Sequence, residues 1–183
     1  MNSEKVKLFL ELAGQGFSDK FIEDSPAKRE LGAQLLLSEV LEYVIKGLGV
    51  TPSFNGVEIT DADALRYESK REVNKVEMLD GLADVAYTMY WNSLTFGAPL
   101  EEAFDLVCDN NLEKFVKLDS WSNGACVVEQ NNWHLGCDVA WPKDVVKVEV
   151  ISVAGDFYGV GKDERSKVRK PCHFKSVDLS PLV

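Results

Sequence analysis

Two segments of the sequence carry acidic side chains at a spacing that could bind a metal ion. The first reads LLSEVLEYVIK and places Glu39 and Glu42 three residues apart inside an apolar run. The second reads EMLDGLAD and brings Glu77, Asp80 and Asp84 at intervals of three and four. Side chains at these intervals share one face of an α-helix, so each segment is predicted to carry a stripe of carboxylates.

Two facing stripes would bring four or five carboxylates together, and carboxylates that close repel one another unless cations lie between them. Ligation by oxygen alone suits Mg²⁺ or Mn²⁺, and facing helices of a bundle are a known frame for such sites. The alternative is that the acids are solvated on exposed faces and paired with nearby lysines or arginines. Because both stripes lie in apolar runs, we favour a Mg²⁺ or Mn²⁺ site formed by Glu39, Glu42, Glu77, Asp80 and Asp84.

The positions of these acids depend on the helices that carry them. With 183 residues, 45% of them hydrophobic, the chain can form one domain or one domain with an appendage. Apolar residues recur at helical intervals in four segments, and the second begins with a serine cap followed by proline at the first helical position. The predicted helices cover residues 4–14, 25–47, 72–96 and 100–118.

The pattern changes after Asp119, where residues 120–142 contain three tryptophans but no helical period. Residues 144–160 are rich in β-branched side chains and carry a turn at Ala154-Gly155-Asp156, which predicts a β-hairpin. The predicted fold is therefore an all-α core, an antiparallel helical bundle, with a small β-containing C-terminal appendage. The expected divisions are a helical catalytic core at 1–118, an insertion at 119–160 and a tail packing on the core at 161–183.

Charge and composition exclude several classes of protein. A net charge of −10 argues against binding to duplex DNA or RNA, which needs a basic face. The N-terminal sequence lacks the features of a signal peptide, and no run reaches the length of a membrane helix, so we expect a cytoplasmic protein, or one of the host cytoplasm if phage-encoded.

A structural zinc site is disfavoured. The common zinc-finger spacings are missing among the cysteines at 126, 137 and 172 and the histidines at 134 and 173.

The order of the motifs resembles that of the MazG-like all-α nucleoside triphosphate pyrophosphohydrolases, in the phage and bacterial branch related to phosphoribosyl-ATP pyrophosphohydrolase. The similar segments are Glu39-x-x-Glu42, DGLADVAYTMYW, AFDLVCDNNLEKFVK and the closing GKDERSKVRKPCHF, so the resemblance covers residues 4–118 and 161–174. The chain departs from the family pattern at four positions. Ser38 and Gly81 stand where glutamates are usual, and Asn110 and Leu112 where serine and methionine are usual.

The resemblance implies hydrolysis of a (deoxy)nucleoside triphosphate between its α and β phosphates, giving a monophosphate and pyrophosphate. The implied catalytic residues are Glu39, Glu42, Asp80 and Asp84, with Asp80 or Glu77 replacing the glutamate missing at position 81. Metal ions held by these carboxylates would neutralise the triphosphate and lower the pKa of an attacking water. One outer carboxylate could orient that water as general base.

The resemblance also implies a set of substrate-binding residues. Lys114 would contact phosphate oxygens, Lys167 and Lys170 would close over them from the tail, and Asn111 could bond the sugar or base. Further along the acidic helix, Tyr87 or Trp91 could stack on the base, although aromatic residues at helical spacing are more often core. For the lysines the alternative is a solvated surface charge.

Other interpretations remain open. A phosphoribosyl-ATP pyrophosphohydrolase is disfavoured by Gly81 and by the insertion, and a non-catalytic helical protein that binds nucleotides or partners would explain Ser38 and Gly81 as signs of a decayed site. Long apolar helices with few polar faces are hard to cover in a chain of this size, so we expect a homodimer or homotetramer. The resemblance implies the same.

Overall fold

The computed structural model describes residues 2–18, 20–22 and 25–183. The chain divides into two compact units. The sheet unit consists of Met1–Asp19 and Ala86–Val183, and the acid-bearing unit is Lys20–Val85. The helices and strands of the described residues are α1 (Asn2–Ala13), α2 (Pro26–Glu42), β1 (Ser53–Phe54), β2 (Val57–Glu58), α3 (Lys75–Phe96), α4 (Leu100–Leu112), β3 (Val116–Lys117), β4 (Cys126–Val128), β5 (Lys147–Val153), β6 (Asp156–Lys162) and β7 (Val168–Arg169).

The prediction of an all-α core is wrong, because a five-stranded antiparallel sheet forms the centre of the sheet unit. Its strand order is β3-β6-β5-β4, and β7 pairs with β6 beside β3. The four predicted helices are confirmed as α1–α4, but α4 ends at Leu112 rather than at 118. The chain leaves the helix there because Phe115 is buried in the core and Val116 pairs with Gly159 of β6. The fold is mixed α and β.

The predicted hairpin is confirmed by the β5–β6 pair, the longest pairing in the sheet. Val153 pairs with Asp156 across the turn, whose two central residues, Ala154 and Gly155, have φ values of 53° and 89°. Positive φ at both central residues is what a type I′ turn requires, and this turn matches the twist of the strands that it joins.

One face of the sheet is covered by residues 118–145. Val148 and Val150 of β5 point into this layer and are almost fully buried. In the layer they pack with the buried Leu135 and with Trp133 and Trp141, which are partly buried. On β6 the residues opposite the two valines are Gly161 and Gly159. A Cβ atom at Gly159 would lie 2.1 Å from Leu135 Cδ1, and one at Gly161 would lie 2.5 Å from the ring of Trp141. The segment predicted as an insertion, 119–160, therefore supplies most of this covering layer as well as the β5 strand and most of the β6 strand that it covers.

Helices α1 and α4 are associated with the opposite face. Leu12 and Ala13 of α1 form a buried cluster with Phe115 and with Val160 of β6. Phe9 meets Phe115 edge to face, with ring centroids 5.2 Å apart. Lys5 bridges α1 to α4 through Asp105 and Asp109 at 2.7 and 2.6 Å. Nonpolar packing beside the sheet and ion pairs at the surface thus hold the two helices together.

A charged cluster lies on this same sheet face. Glu149 of β5 forms ion pairs with Lys162 and, at 2.6 Å, with Lys147. Partial burial raises the pKa of Glu149, but the hydrogen bonds and the positive charges of the two lysines together outweigh it, so the pKa lies below its usual value. The ionised carboxylate is therefore stabilised by the folded state.

The acid-bearing unit has a different character. Ser25 caps α2 by accepting a hydrogen bond from Lys28 N at 3.3 Å, as predicted, and α2 continues into a π-helical turn over Tyr43–Gly47. Near the start of α2, Glu30 accepts a hydrogen bond from the backbone of Ser69 at 2.8 Å. Within residues 20–22 and 25–85 no side chain is buried. In the parts of the chain that the structure describes, no helix is long and apolar enough to cross a membrane.

Replacing Gly161 by alanine is expected to destabilise the sheet unit by about 1–3 kcal/mol, because the new methyl group would overlap the buried Trp141 ring. Urea unfolding followed by tryptophan fluorescence measures the change. Gly16→Ala is the matched control, since no atom lies within 4 Å of its Cβ position, and a change below about 0.5 kcal/mol is expected. Equal effects of the two variants would contradict the packing described here.

Glu149→Gln is expected to lower the free energy of unfolding by about 1–2 kcal/mol at pH 7, because Lys162 loses its partner. Since the folded pKa of Glu149 lies below the ordinary value of 4.5, this contribution is fully present above pH 4.5 and is lost as the pH falls through the folded pKa. The free energies of unfolding of the wild-type protein and of Glu149→Gln should therefore converge as the pH falls, which denaturant unfolding between pH 3 and 7 measures. Asp156→Asn removes an exposed ion pair with Lys117 and should change stability far less.

Candidate functional site

The two predicted metal-binding carboxylates of α2, Glu39 and Glu42, lie at the end of the helix and are exposed. Glu39 and Glu42 stand one helical turn apart, and the chain enters its π-helical turn directly after Glu42. Lys46 in that turn donates to Glu42 at 2.5 Å. This hydrogen bond raises the pKa of Lys46 above its usual value. Of the two α2 acids, Glu42 is thus already paired with a cation.

Two further acids near Lys46 were not predicted as site residues. Asp63 and Asp61 also raise the pKa of Lys46 through their charges, which places both near the end of α2. They lie in a turn, where Asp61 Oδ1 accepts from Asp63 N at 3.0 Å. The only sequence signal was an Asp-x-Asp pair in a connector, and that pair is common in turns. Lys46 therefore lies near three acids, Glu42 of α2 and Asp61 and Asp63 of the connector.

The acids of α3 are also exposed. Asn74 caps this helix, accepting from Val76 N at 3.1 Å, and the Glu77, Asp80 and Asp84 side chains follow along the helix. An apolar run such as the one around these acids is typical of a buried helix, but Leu79 and Leu82 are 61% and 58% exposed. The stripe of carboxylates therefore lies beside an uncovered nonpolar surface.

The predicted ligands do not form a metal site within one chain. Among residues 2–18, 20–22 and 25–183, no group of three or more His, Cys, Asp and Glu side chains is placed to hold an ion. Each stripe stays accessible to cations, because all five predicted ligands are exposed. In a single copy, the described residues therefore do not fit a bound Mg²⁺ or Mn²⁺ ion.

Two predicted substrate-binding residues, Asn111 near the end of α4 and Lys114 just after it, lie together in the sheet unit. Lys114 donates to Asn111 Oδ1 at 2.6 Å, and its ammonium group lies 5.4 Å from the centre of the Phe9 ring. In the tail, Lys170 lies 4.5 Å from the centre of the Phe174 ring, whereas Lys167 is exposed. Asn111 and Lys114 therefore form a pair, and Lys170 has an aromatic contact of its own.

The aromatic residues of α3 lie at an open surface. Tyr87 and Trp91 are 70% and 54% exposed, and with Tyr90 they line a shallow pocket of about 280 Å³. Tyr90 donates to Glu101 at 2.6 Å, and this hydrogen bond raises the pKa of the phenol. In the single chain these side chains are not core residues, so they are free to contact a ligand or another protein surface.

Asn110 has a structural role that the motif comparison missed. Its side-chain amide donates to Lys175 O at 2.8 Å and accepts from Val177 N at 3.1 Å. Both bonds attach the tail to α4. The amide makes them through two separate atoms, Nδ2 and Oδ1, whereas a serine hydroxyl would have to donate and accept through one oxygen nearer the backbone.

Comparison of the chain with protein-family models, with curated proteins and with solved structures finds no match. The resemblance to the pyrophosphohydrolases rests on the motifs and their order alone. The assignment of an activity is accordingly a proposal.

Proposed function

We propose that the chain is a metal-dependent (deoxy)nucleoside triphosphate pyrophosphohydrolase that controls a nucleotide pool by releasing a monophosphate and pyrophosphate. The observation that supports it best is the pair of accessible carboxylate stripes on α2 and α3, in the order and spacing of the family motifs. The metal ligands in this proposal are Glu39, Glu42, Asp84 and either Asp80 or Glu77. Asn111 and Lys114 stay predicted substrate contacts.

We further propose that the working protein is a homodimer or homotetramer. Helices that are apolar on most faces are normally covered, and a monomer rarely exposes an apolar patch above about 300–600 Å². The described part of the acid-bearing unit has no buried side chain, yet many of its large apolar residues are at least 40% exposed. On α2 and on the first part of α3 these are Leu31, Leu35, Leu36, Leu37, Val40, Val76, Met78, Leu79 and Leu82.

A second copy is the proposed cover for two reasons. An apolar surface such as that of α2 and α3 is typical of obligate homo-oligomers, whose interfaces are more hydrophobic than those of transient complexes. A two-fold interface also uses the same patch twice, so every apolar helix face finds an equally apolar partner. Such an assembly would place further carboxylates near those of each chain, which a single copy does not do.

The alternative function is a non-catalytic protein that binds a nucleotide or a partner through the same surface. It is favoured by the lack of an ion-binding group of three or more side chains among the described residues. Phosphoribosyl-ATP pyrophosphohydrolase activity is a third candidate, and it differs from the main proposal only in substrate.

The reaction is tested by pyrophosphate release from a panel of NTPs, dNTPs and phosphoribosyl-ATP with Mg²⁺ or Mn²⁺. Glu42→Gln and Asp84→Asn keep side-chain size but remove charge, and each should reduce the rate at least about 100-fold for a metal ligand. Glu72→Gln, an exposed acid of the same unit outside both stripes, should change the rate less than about twofold.

Release of pyrophosphate that survives both charge-removing variants would contradict the assigned ligands. No release from any substrate, together with no thermal stabilisation by Mg²⁺ and nucleotide, would favour the non-catalytic alternative, because a ligand that binds the native state must raise its melting temperature.

Light scattering tests the assembly separately from activity. The wild-type mass is expected to be at least twice the 20.4 kDa of one chain. Leu79→Glu introduces a charge into the exposed apolar face and should shift the protein toward monomer. Val146→Glu, at an exposed apolar position of the sheet unit, should leave the mass unchanged. A monomeric wild-type protein would contradict the proposed interface.

A further inference from the structure

The sheet unit contains a cavity that none of the predicted site residues lines. It is open to solvent on one side, has a volume of about 350 Å³ and lies beside β4, between that strand, Trp121 and the loop that follows at residues 129–136. Binding pockets for small molecules are about 300–1,000 Å³ in volume, so this one suits a ligand of one or two rings.

One wall of the cavity is a fixed aromatic surface. Trp121 is partly buried against the covering layer of the sheet, and its indole N–H donates to Gly124 O at 2.8 Å. Because the polar group of the side chain is already bonded within the protein, the ring offers its nonpolar surface to a ligand. A planar ring is the natural partner for such a surface, since every nucleobase can stack on an aromatic side chain.

The loop on the other side is held by a buried anchor. Leu135 is 4% exposed and adopts a φ of 55°, a conformation that leucine rarely takes. It lies over Gly159 of β6, which leaves room for it by having no side chain. The neighbouring His134 and Gly136 line the cavity, so its shape is set by the core of the unit.

Several polar side chains converge on the same space. Asn123, Glu129 and Asn132 line it and are exposed, and in the described structure none of the three side chains bonds to another part of the protein. His134 Nδ1 accepts from Gly136 N at 3.1 Å, so in the neutral ring the Nε2 atom carries the proton and is a donor. The cavity thus offers paired amide donors and acceptors, an acceptor carboxylate and a ring N–H.

The charges of the lining residues narrow the class of ligand. Glu129 is their only formally charged group, and no lysine or arginine lines the cavity, so a phosphate would find no cation there. Asparagine amides match the adjacent donor and acceptor of a base edge, and glutamate accepts from an amino group of a base. A single tryptophan wall differs from the aromatic cage that binds quaternary ammonium ions.

We infer that this cavity is a binding site for an uncharged purine or pyrimidine nucleoside, with the base stacked on Trp121 and its edge bonded by Asn132 and Glu129. The inference does not depend on the proposed pyrophosphohydrolase activity, because it uses none of the residues assigned to that activity. The proposed site binds the nucleoside and catalyses no reaction on it.

Cys126 provides a probe of the site in the unmodified protein. It lines the cavity and is exposed, whereas Cys137 and Cys172 are exposed and do not line it. Alkylation of each thiol by iodoacetamide is followed by mass spectrometry with adenosine, guanosine, cytidine or uridine present. At a nucleoside concentration of ten times Kd, alkylation of Cys126 should slow about tenfold while the other two rates stay constant. The inference is overturned if no nucleoside slows Cys126, or if all three thiols slow equally.

Neighbouring asparagines provide a matched pair of variants. Asn132 lines the cavity and Asn131, in the same turn, does not, although both are exposed. In saturation-transfer NMR titrations with the nucleoside that protects Cys126, Asn132→Ala should weaken binding at least about tenfold and Asn131→Ala less than twofold. Equal weakening by both variants would overturn the assignment. Protection of Cys126 by tetramethylammonium but by no nucleoside would also overturn it and assign a cation to the cavity.

Discussion

The structure of the sheet unit depends on the burial of both faces of the β5–β6 pair. Val148 and Val150 are buried on one face and Val160 on the other, so each face needs its own nonpolar cover. The helical cover comes from α1 and α4, and the other from a largely irregular segment whose one strand, β4, pairs with β5. That segment can be buried because its indole groups find backbone acceptors within it, with Trp133 donating to Val128 O and Trp141 to Trp133 O.

Local elements could be predicted from the sequence, but the sheet as the centre of the unit could not. The four helices and the β5–β6 hairpin follow from periodicity, capping and a turn that tolerates positive φ. The strands β3 and β7 have two residues each and therefore no periodic pattern. Gly159 and Gly161 interrupt the alternation in β6, although their function is to admit Leu135 and Trp141. Such a packing relation joins residues distant in sequence, so no local pattern reveals it.

For the candidate site too, the sequence predicted the local relations but not the long-range ones. Helical spacing correctly placed each group of acids along one helix, because that relation is local. Whether the two stripes converge depends on packing between helices, and within one chain the described residues do not form an ion-binding group. The acids around Lys46 were missed because Asp61 and Asp63 reach it from a connector. The apolar character of α2 and α3 favours a covered surface, and the cover proposed for it is a second copy of the chain.

The division of the sheet unit into two stretches of sequence has a consequence for synthesis. Helix α1 is made first, yet Leu12 and Ala13 are buried in a cluster with Phe115 and Val160, which leave the ribosome more than a hundred residues later. Contacts that close so long a loop form slowly, so the apolar side of α1 is uncovered at least until Phe115 and Val160 have been made. During that interval the acid-bearing segment emerges with its own exposed apolar side chains, so the growing chain carries two uncovered apolar surfaces at once.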